Sequence, residues 1–312
     1  MVFSFKGRSL LTLKDYTADE ISYLLKLAKT EKDNSRTGIV QQRFLGKNLA
    51  MLFEKRSTRT RCAFETAFGE EGGNPVFLSS DDIQLGAKES IEDTARVFGR
   101  MFDAIEFRGF KQETVEKLAK YSGVPVYNGL TDLYHPTQIL ADFLTIWEEF
   151  GTLKGIKLVY VGDGRNNVAN SLLIGSGKMG LNFSIVAPKE LWPDENLVNY
   201  ARECCKVSNG SITVTDDVKE GVKGAQAIYT DVWVSMGEES KKDKRIKLLS
   251  PYQVNQELMD ATGNKDTIFL HCLPAVKDME VTYDVIEGAR SRVWDEAENR
   301  KHTIKAIMLA TI

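Results

Sequence analysis

Apolar positions along this chain recur in two alternating ways, as short unbroken runs and as longer stretches at helical spacing. Ile21, Leu24, Leu25 and Ala28 repeat at helical spacing behind Thr17 and Glu20, which read as a capping box, and predict a helix over residues 18–32. Apolar runs near 48–53, 75–79, 104–108 and 124–127 predict strands. Helical patterns lie between them at 58–71, 90–101 and 112–121, the second opened by Ser90 and Asp93 as another capping box. A longer helical stretch, 136–150, leads to Gly151. A second set follows, with strands near 156–161, 182–187, 211–215, 226–230 and 267–271. Helices near 167–178, 194–206, 217–223 and 251–262 separate them, and an amphipathic helix closes the chain over 296–311. Such alternation indicates parallel sheets covered by helices, so the expected class is α/β with two domains that divide near residue 150. The many charges of Glu238–Lys247 predict a mobile surface loop there.

Bulk properties narrow the function. A chain of 312 residues can bury the core of two domains, and 42% hydrophobic with 27% charged residues is ordinary for a globular protein. Its net charge is −3, and the basic residues are interleaved with acids, which argues against nucleic acid as a partner. No apolar run reaches the roughly 18 residues needed to span a membrane. The four cysteines, two of them adjacent, suit free thiols in a reducing compartment. Met-Val-Phe-Ser-Phe-Lys at the start has neither a signal core nor an Arg- and Ser-rich leader, so a cytoplasmic location is expected.

Candidate chemistry concentrates at residues 53–61, Phe-Glu-Lys-Arg-Ser-Thr-Arg-Thr-Arg. The strand-like run before them and the helix after them place Ser57 as an N-cap. Ser57, Thr58 and Thr60 add hydroxyls, and Arg59 and Arg61 add guanidiniums, to a helix N-terminus that already favours anions. Together they read as a nest for a phosphate-like dianion; the alternative is a capped, solvated, basic helix start. Arg108 ends a strand before Gly109, where it can point into a ligand crevice or form a surface ion pair. His135 and Gln138 flank Pro136 at the start of a helix, one turn apart, and can donate to a polarised carbonyl.

Gly162-x-Gly164 follows a strand like a dinucleotide-binding turn, but the third glycine position is Asn167 and the next strand ends in Ala187-Pro188 rather than a carboxylate. A nicotinamide site is therefore not expected. Asn167 instead sits at a helix N-terminus that can hold a carboxylate. Asp231 follows an apolar strand and can pair with an ammonium group, with Ser235 and Met236 shortly after it. His271 and Cys272 are adjacent, and strand neighbours point to opposite faces, which argues against one metal ion taking both. No metal or organic cofactor is expected. His302 reads as structural.

These stretches, in order, resemble the aspartate and ornithine carbamoyltransferases: Ser-Thr-Arg-Thr-Arg at 57–61, Arg108, His-Pro-x-Gln at 135–138, Asp-x-x-x-Ser-Met-Gly at 231–237 and His-Cys-Leu-Pro at 271–274. The Cys and the Ser-Met-Gly loop match the ornithine branch. The resemblance implies a first domain of residues 1–150 that binds carbamoyl phosphate, joined by the returning terminal helix 296–312, and a second of 151–295 that binds ornithine. It implies transfer of the carbamoyl group to ornithine's δ-amine, giving L-citrulline and phosphate. Carbamoyl phosphate would be bound by Ser57, Thr58, Arg59, Thr60, Arg108, His135, Gln138, Arg300 and the backbone of Cys272 and Leu273. Gln84 would be supplied by a neighbouring subunit of a homotrimer. Ornithine would be held by Asn167, Asp231, Ser235 and Met236, with Arg108, His135, Asp231 and Cys272 catalytic. The δ-amine has a lysine-like pKa of about 10.4, so desolvation and the Cys272–Asp231 pair would have to favour its neutral form or accept its proton. Putrescine or aspartate as acceptor, and a non-catalytic phosphate-binding module, are the alternatives.

Overall fold

The structure, a computed structural model, describes residues 4–39, 41–80, 89–234, 240 and 242–312. The chain divides into two compact units, Met1–Leu144 with Glu298–Ile312, and Thr145–Ala297. In the first, helix α1 (Ala18–Arg36) opens on the capping box, Thr17 accepting from the Glu20 N–H while the Glu20 carboxylate accepts from the Thr17 N–H at 2.8 Å. Then come β1 (Asn48–Phe53), α2 (Thr58–Gly69), β2 (Asn74–Ser79), α3 (Ile91–Met101), β3 (Ala104–Arg108), α4 (Gln112–Ser122), β4 (Val126–Leu130) and α5 (Pro136–Phe150). The strands form one parallel sheet in the order β2-β1-β3-β4. Ala50, Leu52, Ile105, Phe107, Val115 and Leu118 share one of its buried clusters, each larger side chain contributing about 1.5–3 kcal/mol.

The second unit runs through β5 (Lys157–Val161), α6 (Asn167–Met179), β6 (Asn182–Val186), α7 (Glu195–Ser208), β7 (Ser211–Thr215), α8 (Val218–Val222) and β8 (Ala227–Tyr229). It continues with α9 (Lys242–Leu249), α10 (Gln256–Ala261), β9 (Ile268–Leu270), α11 (Tyr283–Ile286) and α12 (Val293–Thr311). Its sheet is parallel, in the order β7-β6-β5-β8-β9. Helix α12 begins here, but from Glu298 onward it belongs to the first unit.

Strand order decides where ligands can sit. In the first sheet β1 and β3 are neighbours, and the chain leaves them toward opposite edges; β5 and β8 have that relation in the second. Each pair marks a topological switch point, with a crevice beyond its carboxyl ends. Residues 54–57 and Arg108 lie at the first of these ends, and residues 162–167 and Asp231 at the second.

Three local expectations are corrected. The strand expected at 124–127 begins only at Val126, because Val124 is tied to the Ser122 hydroxyl and Pro125 has no N–H to offer. A single helix over 251–262 is instead a 3-10 turn at Ser250–Tyr252 followed by α10, which Asn255 caps by accepting from the Leu258 N–H at 2.9 Å. Within the loop expected at Glu238–Lys247, helix α9 starts at Lys242, and residues 238, 239 and 241 lie outside the described residues. The helix is anchored because Arg245 is buried and its guanidinium pairs with Asp163.

Candidate active site

Ser57 caps α2 by accepting from the Thr60 N–H at 3.2 Å, which fixes the first helical turn at the end of β1. Thr60 is fully buried, and its oxygen accepts from two guanidiniums, Arg108 at 3.3 Å and Arg300 at 3.2 Å. Arg300 also donates to Gln138 Oε1 at 2.9 Å, while Gln138 Nε2 donates to Asp142 at 2.8 Å. One hydroxyl thus gathers cations from β3 and α12 at the start of α2, and the hydrogen of Thr60 remains available to donate.

A β-bulge aims Arg108. Register shifts between Phe107, opposite Asn128, and Arg108, opposite Leu130, which leaves Gly129 as the extra residue. At Gly109 a Cβ would lie 2.2 Å from the Phe107 ring and 2.3 Å from Glu54 Oε2, so a side chain there would force both to shift. Burial pushes the His135 imidazole well below its usual range, and Arg300, Arg108 and Arg59 push it the same way. His135 is therefore neutral at physiological pH and can act as a hydrogen-bonding group, not as a cation. Lys55, a cation that sequence reading passed over, lies 4.5 Å from the Phe110 ring. Burial and then Arg108 lower its pKa.

In the second unit, Asp231 is buried just past β8. Its Oδ1 accepts from Cys272 Sγ at 3.2 Å and from the Val232 N–H at 2.8 Å, and its Oδ2 accepts from Asn166 Nδ2 at 3.1 Å. Burial raises the Asp231 carboxyl above its usual value, partly offset by His271 and by the Cys272 and Val232 hydrogen bonds. Asn166 also donates to the Tyr160 hydroxyl at 2.7 Å and caps α6 by accepting from the Ala169 N–H at 2.7 Å. The Leu273 N–H donates to His271 Nδ1 at 2.8 Å, which leaves Nε2 to face Glu280 Oε1 at 3.3 Å. Leu273 itself takes a left-handed φ of 58°, a strained choice for a branched residue that cants the turn following Cys272.

Two family models cover almost the whole chain. The aspartate/ornithine carbamoyltransferase carbamoyl-P binding domain matches residues 8–148, and the Asp/Orn binding domain of the same family matches 154–311. The chain belongs to the aspartate/ornithine carbamoyltransferase family. It is 69% identical to the ornithine carbamoyltransferase of Caldanaerobacter subterraneus over 312 residues, all of both chains. A Bacillus licheniformis relative named as the catabolic ornithine carbamoyltransferase is 57% identical, with 99% of this chain and 97% of that one covered. The solved ornithine carbamoyltransferase of Pyrococcus furiosus superposes with a TM-score of 0.96 at 47% identity, covering 99% of this chain and 98% of that one.

Among the residues that sequence singled out for this carbamoyltransferase, Thr60, Arg108, Gln138 and Arg300 are joined by hydrogen bonds in the first unit, and Asp231 and Cys272 in the second. Gln84, Ser235 and Met236 lie outside the described residues. Arg61, counted in the phosphate nest, turns away: it pairs with Glu65 at 2.8 Å and stacks on Phe77 at 3.7 Å, because its helical position faces the exposed side of α2. Asn167 begins α6, but Asn166 is the cap. Contrary to expectation, His271 and Cys272 do not point to opposite sides. β9 ends at Leu270, so strand alternation no longer applies, and ligand atoms of Asp231, His271 and Cys272 lie within 4.8 Å of one another. Both His271 nitrogens are nevertheless engaged, by Leu273 and Glu280. At the Gly162-x-Gly164 turn, a Cβ on Gly164 would lie 2.9 Å from the Leu191 carbonyl, so this glycine serves the chain's own packing. His302 is buried against Glu298, 3.4 Å away, and burial lowers its pKa to about 4. Sequence reading gave no role to Tyr160, Asp163, Asn166 or Glu280; Asn166 carried a local signal in its preference for a helix cap.

Proposed function

We propose that this chain transfers the carbamoyl group of carbamoyl phosphate to the δ-amine of L-ornithine, giving L-citrulline and phosphate in arginine metabolism. The observation that carries the reading is the convergence of Arg108 and Arg300 on the Thr60 hydroxyl at the start of α2. A phosphate dianion meets two guanidiniums, hydroxyls and helix N–H groups there, with Ser57, Thr58 and Arg59 completing the cradle. The δ-nitrogen attacks the carbamoyl carbon, a C–N bond forms, and the C–O bond to phosphate breaks with its electron pair leaving on oxygen. Arg108, Arg300, Thr60 and neutral His135 donate to the carbamoyl oxygen as it becomes anionic. Asp231 takes the amine's proton through or beside Cys272, and its raised proton affinity suits that task. Asn167, with Ser235 and Met236, holds the α-carboxylate and α-ammonium of ornithine. A catalyst accelerates both directions, so the same residues serve synthesis or breakdown of citrulline.

The test is product formation from carbamoyl phosphate with ornithine, putrescine, aspartate and acetylornithine compared. Ornithine should exceed putrescine by roughly 10²–10⁴ in kcat/KM, since a diamine leaves the carboxylate site unpaired. Equal turnover of putrescine would overturn the assignment of acceptor.

The family resemblance also supports a homotrimer whose sites share Gln84 across subunits, and a cytoplasmic location suits four cysteines present as thiols. Gln84→Ala and Arg59→Ala subunits, each inactive alone, should regain activity when mixed, because some sites then hold both intact residues. Mixed trimers without recovery would place Gln84 in its own subunit's site or outside any site.

A further inference from the structure

Glu106 lies in the middle of β3, fully buried, in register with Met51 of β1 and Tyr127 of β4. Neither carboxyl oxygen has a hydrogen-bond partner among the described residues. An isolated buried carboxylate is among the least favourable things a protein core can hold, so this side chain needs a reason. The sheet makes room for it. The bulge inserts Gly129, where a Cβ would come within 2.0 Å of Glu106 Oε1, and the same spot lies 3.1 Å from the Thr60 methyl. The other branch of Thr60 is the hydroxyl that gathers Arg108 and Arg300. Glu106 is therefore one side chain removed from the paired guanidiniums.

We propose that Glu106 is a proton-holding residue coupled to anion binding: it keeps its proton when a phosphate-bearing ligand occupies Arg108 and Arg300, and its ionised form competes with that ligand for their charge. The inference rests on the phosphate role given above to Arg108. Burial pushes the carboxyl well above the carboxylate range, while Arg108 and Arg300 pull it back. Arg108 comes from its own strand and Arg300 from α12. Helix α2 contributes the uncharged Thr60, and β4 contributes Gly129 and Tyr127, whose hydroxyl bonds Thr311 at 2.7 Å. Helix α5 contributes Asp142, bound to Gln138, and neutral His135. A dianion that engages the two arginines weakens their pull, so the bound state holds the proton more tightly than the free one. By linkage, binding takes up a proton wherever free Glu106 is ionised, and affinity falls there by up to about tenfold per pH unit.

Calorimetry tests this with phosphonoacetamide, in which a methylene replaces the bridging oxygen of carbamoyl phosphate. Titrations of the intact protein would run from about pH 6 to about pH 9.5, in buffers of different ionisation enthalpy. Wild type should take up more protons on the alkaline side than Glu106→Gln, and lose affinity there more steeply, while both bind. Lys55 titrates in both proteins and cancels in the difference. Glu106→Leu, neutral and apolar like its surroundings, is the second variant if the amide does not fold. Equal proton uptake and parallel affinity profiles would overturn the proposal and leave the phosphate site standing. Folded wild type that binds neither phosphonoacetamide nor inorganic phosphate would overturn both.

Discussion

Replacing Arg108 with Ala should remove roughly 2–5 kcal/mol of transition-state stabilisation, a loss of about thirty- to several-thousand-fold that appears mostly in turnover. The guanidinium is buried, aimed by the bulge at Gly129 and held by the Thr60 hydroxyl, so no neighbouring cation can swing into its place without breaking that arrangement. Arg59→Ala should lose activity within the same range. Arg108→Lys should recover little, since a point charge cannot hold both Thr60 and a phosphate edge as a planar fork does. Stability should move the other way or not at all, because Arg108, Arg300 and Arg59 crowd one small region of the unliganded protein and repel one another. Steady-state kinetics and thermal unfolding of the variant separate the two effects. Near-normal kcat/KM in a folded Arg108→Ala protein would remove this region from the reaction.

Asp231→Asn should reduce kcat/KM for ornithine by roughly 10²–10⁴, the usual contribution of a positioned general base. Its pH signature follows from burial. Asp231 is raised above its ordinary value, so as pH falls it protonates earlier than an exposed aspartate with a pKa of about 3.9. Wild-type kcat/KM should therefore decline on the acid side beginning above the usual carboxylate range, and should rise toward pH 8–9 as more δ-amine is neutral. The Asn variant should keep the alkaline rise and lose the Asp231-dependent acid limb. Cys272→Ala, which removes the donor 3.2 Å from Asp231, should weaken ornithine handling more than carbamoyl phosphate binding. An acid limb identical in wild type and Asp231→Asn would assign it to another group.

Much of the architecture was legible because local and long-range signals agreed. Apolar runs such as 48–53 and 156–161 are bounded by caps and turns, and nothing in their neighbourhood competes with a strand. Strand order was not legible, since it depends on which edge the chain chooses after β1 and β5. Both switch points follow from that choice. In the candidate site, the places of Ser57, Thr60 and Arg108 at element ends were readable, yet the same reading kept Arg61, whose helical angle sends it to Phe77. The charges near Arg245 hid a buried pair with Asp163, because composition cannot separate a solvated charge from one with a partner eighty-two residues away. Glu106 carried no signal either: one acid in a strand of Ala, Ile and Phe reads the same whether it faces solvent or the core.

Asn166 shows how such a site restricts evolution. As a helix cap the position would accept Ser, Thr or Asp nearly as well, since each offers an oxygen to the Ala169 N–H. Its amide nitrogen, however, reaches both Tyr160 and Asp231, and none of those three replacements carries two N–H hydrogens beside that oxygen. Folding alone would leave this position a choice of several residues; holding Tyr160 and Asp231 as well leaves one. Tolerance here is set by the intersection of two codes, and a survey of substitutions that scored only stability would misjudge it.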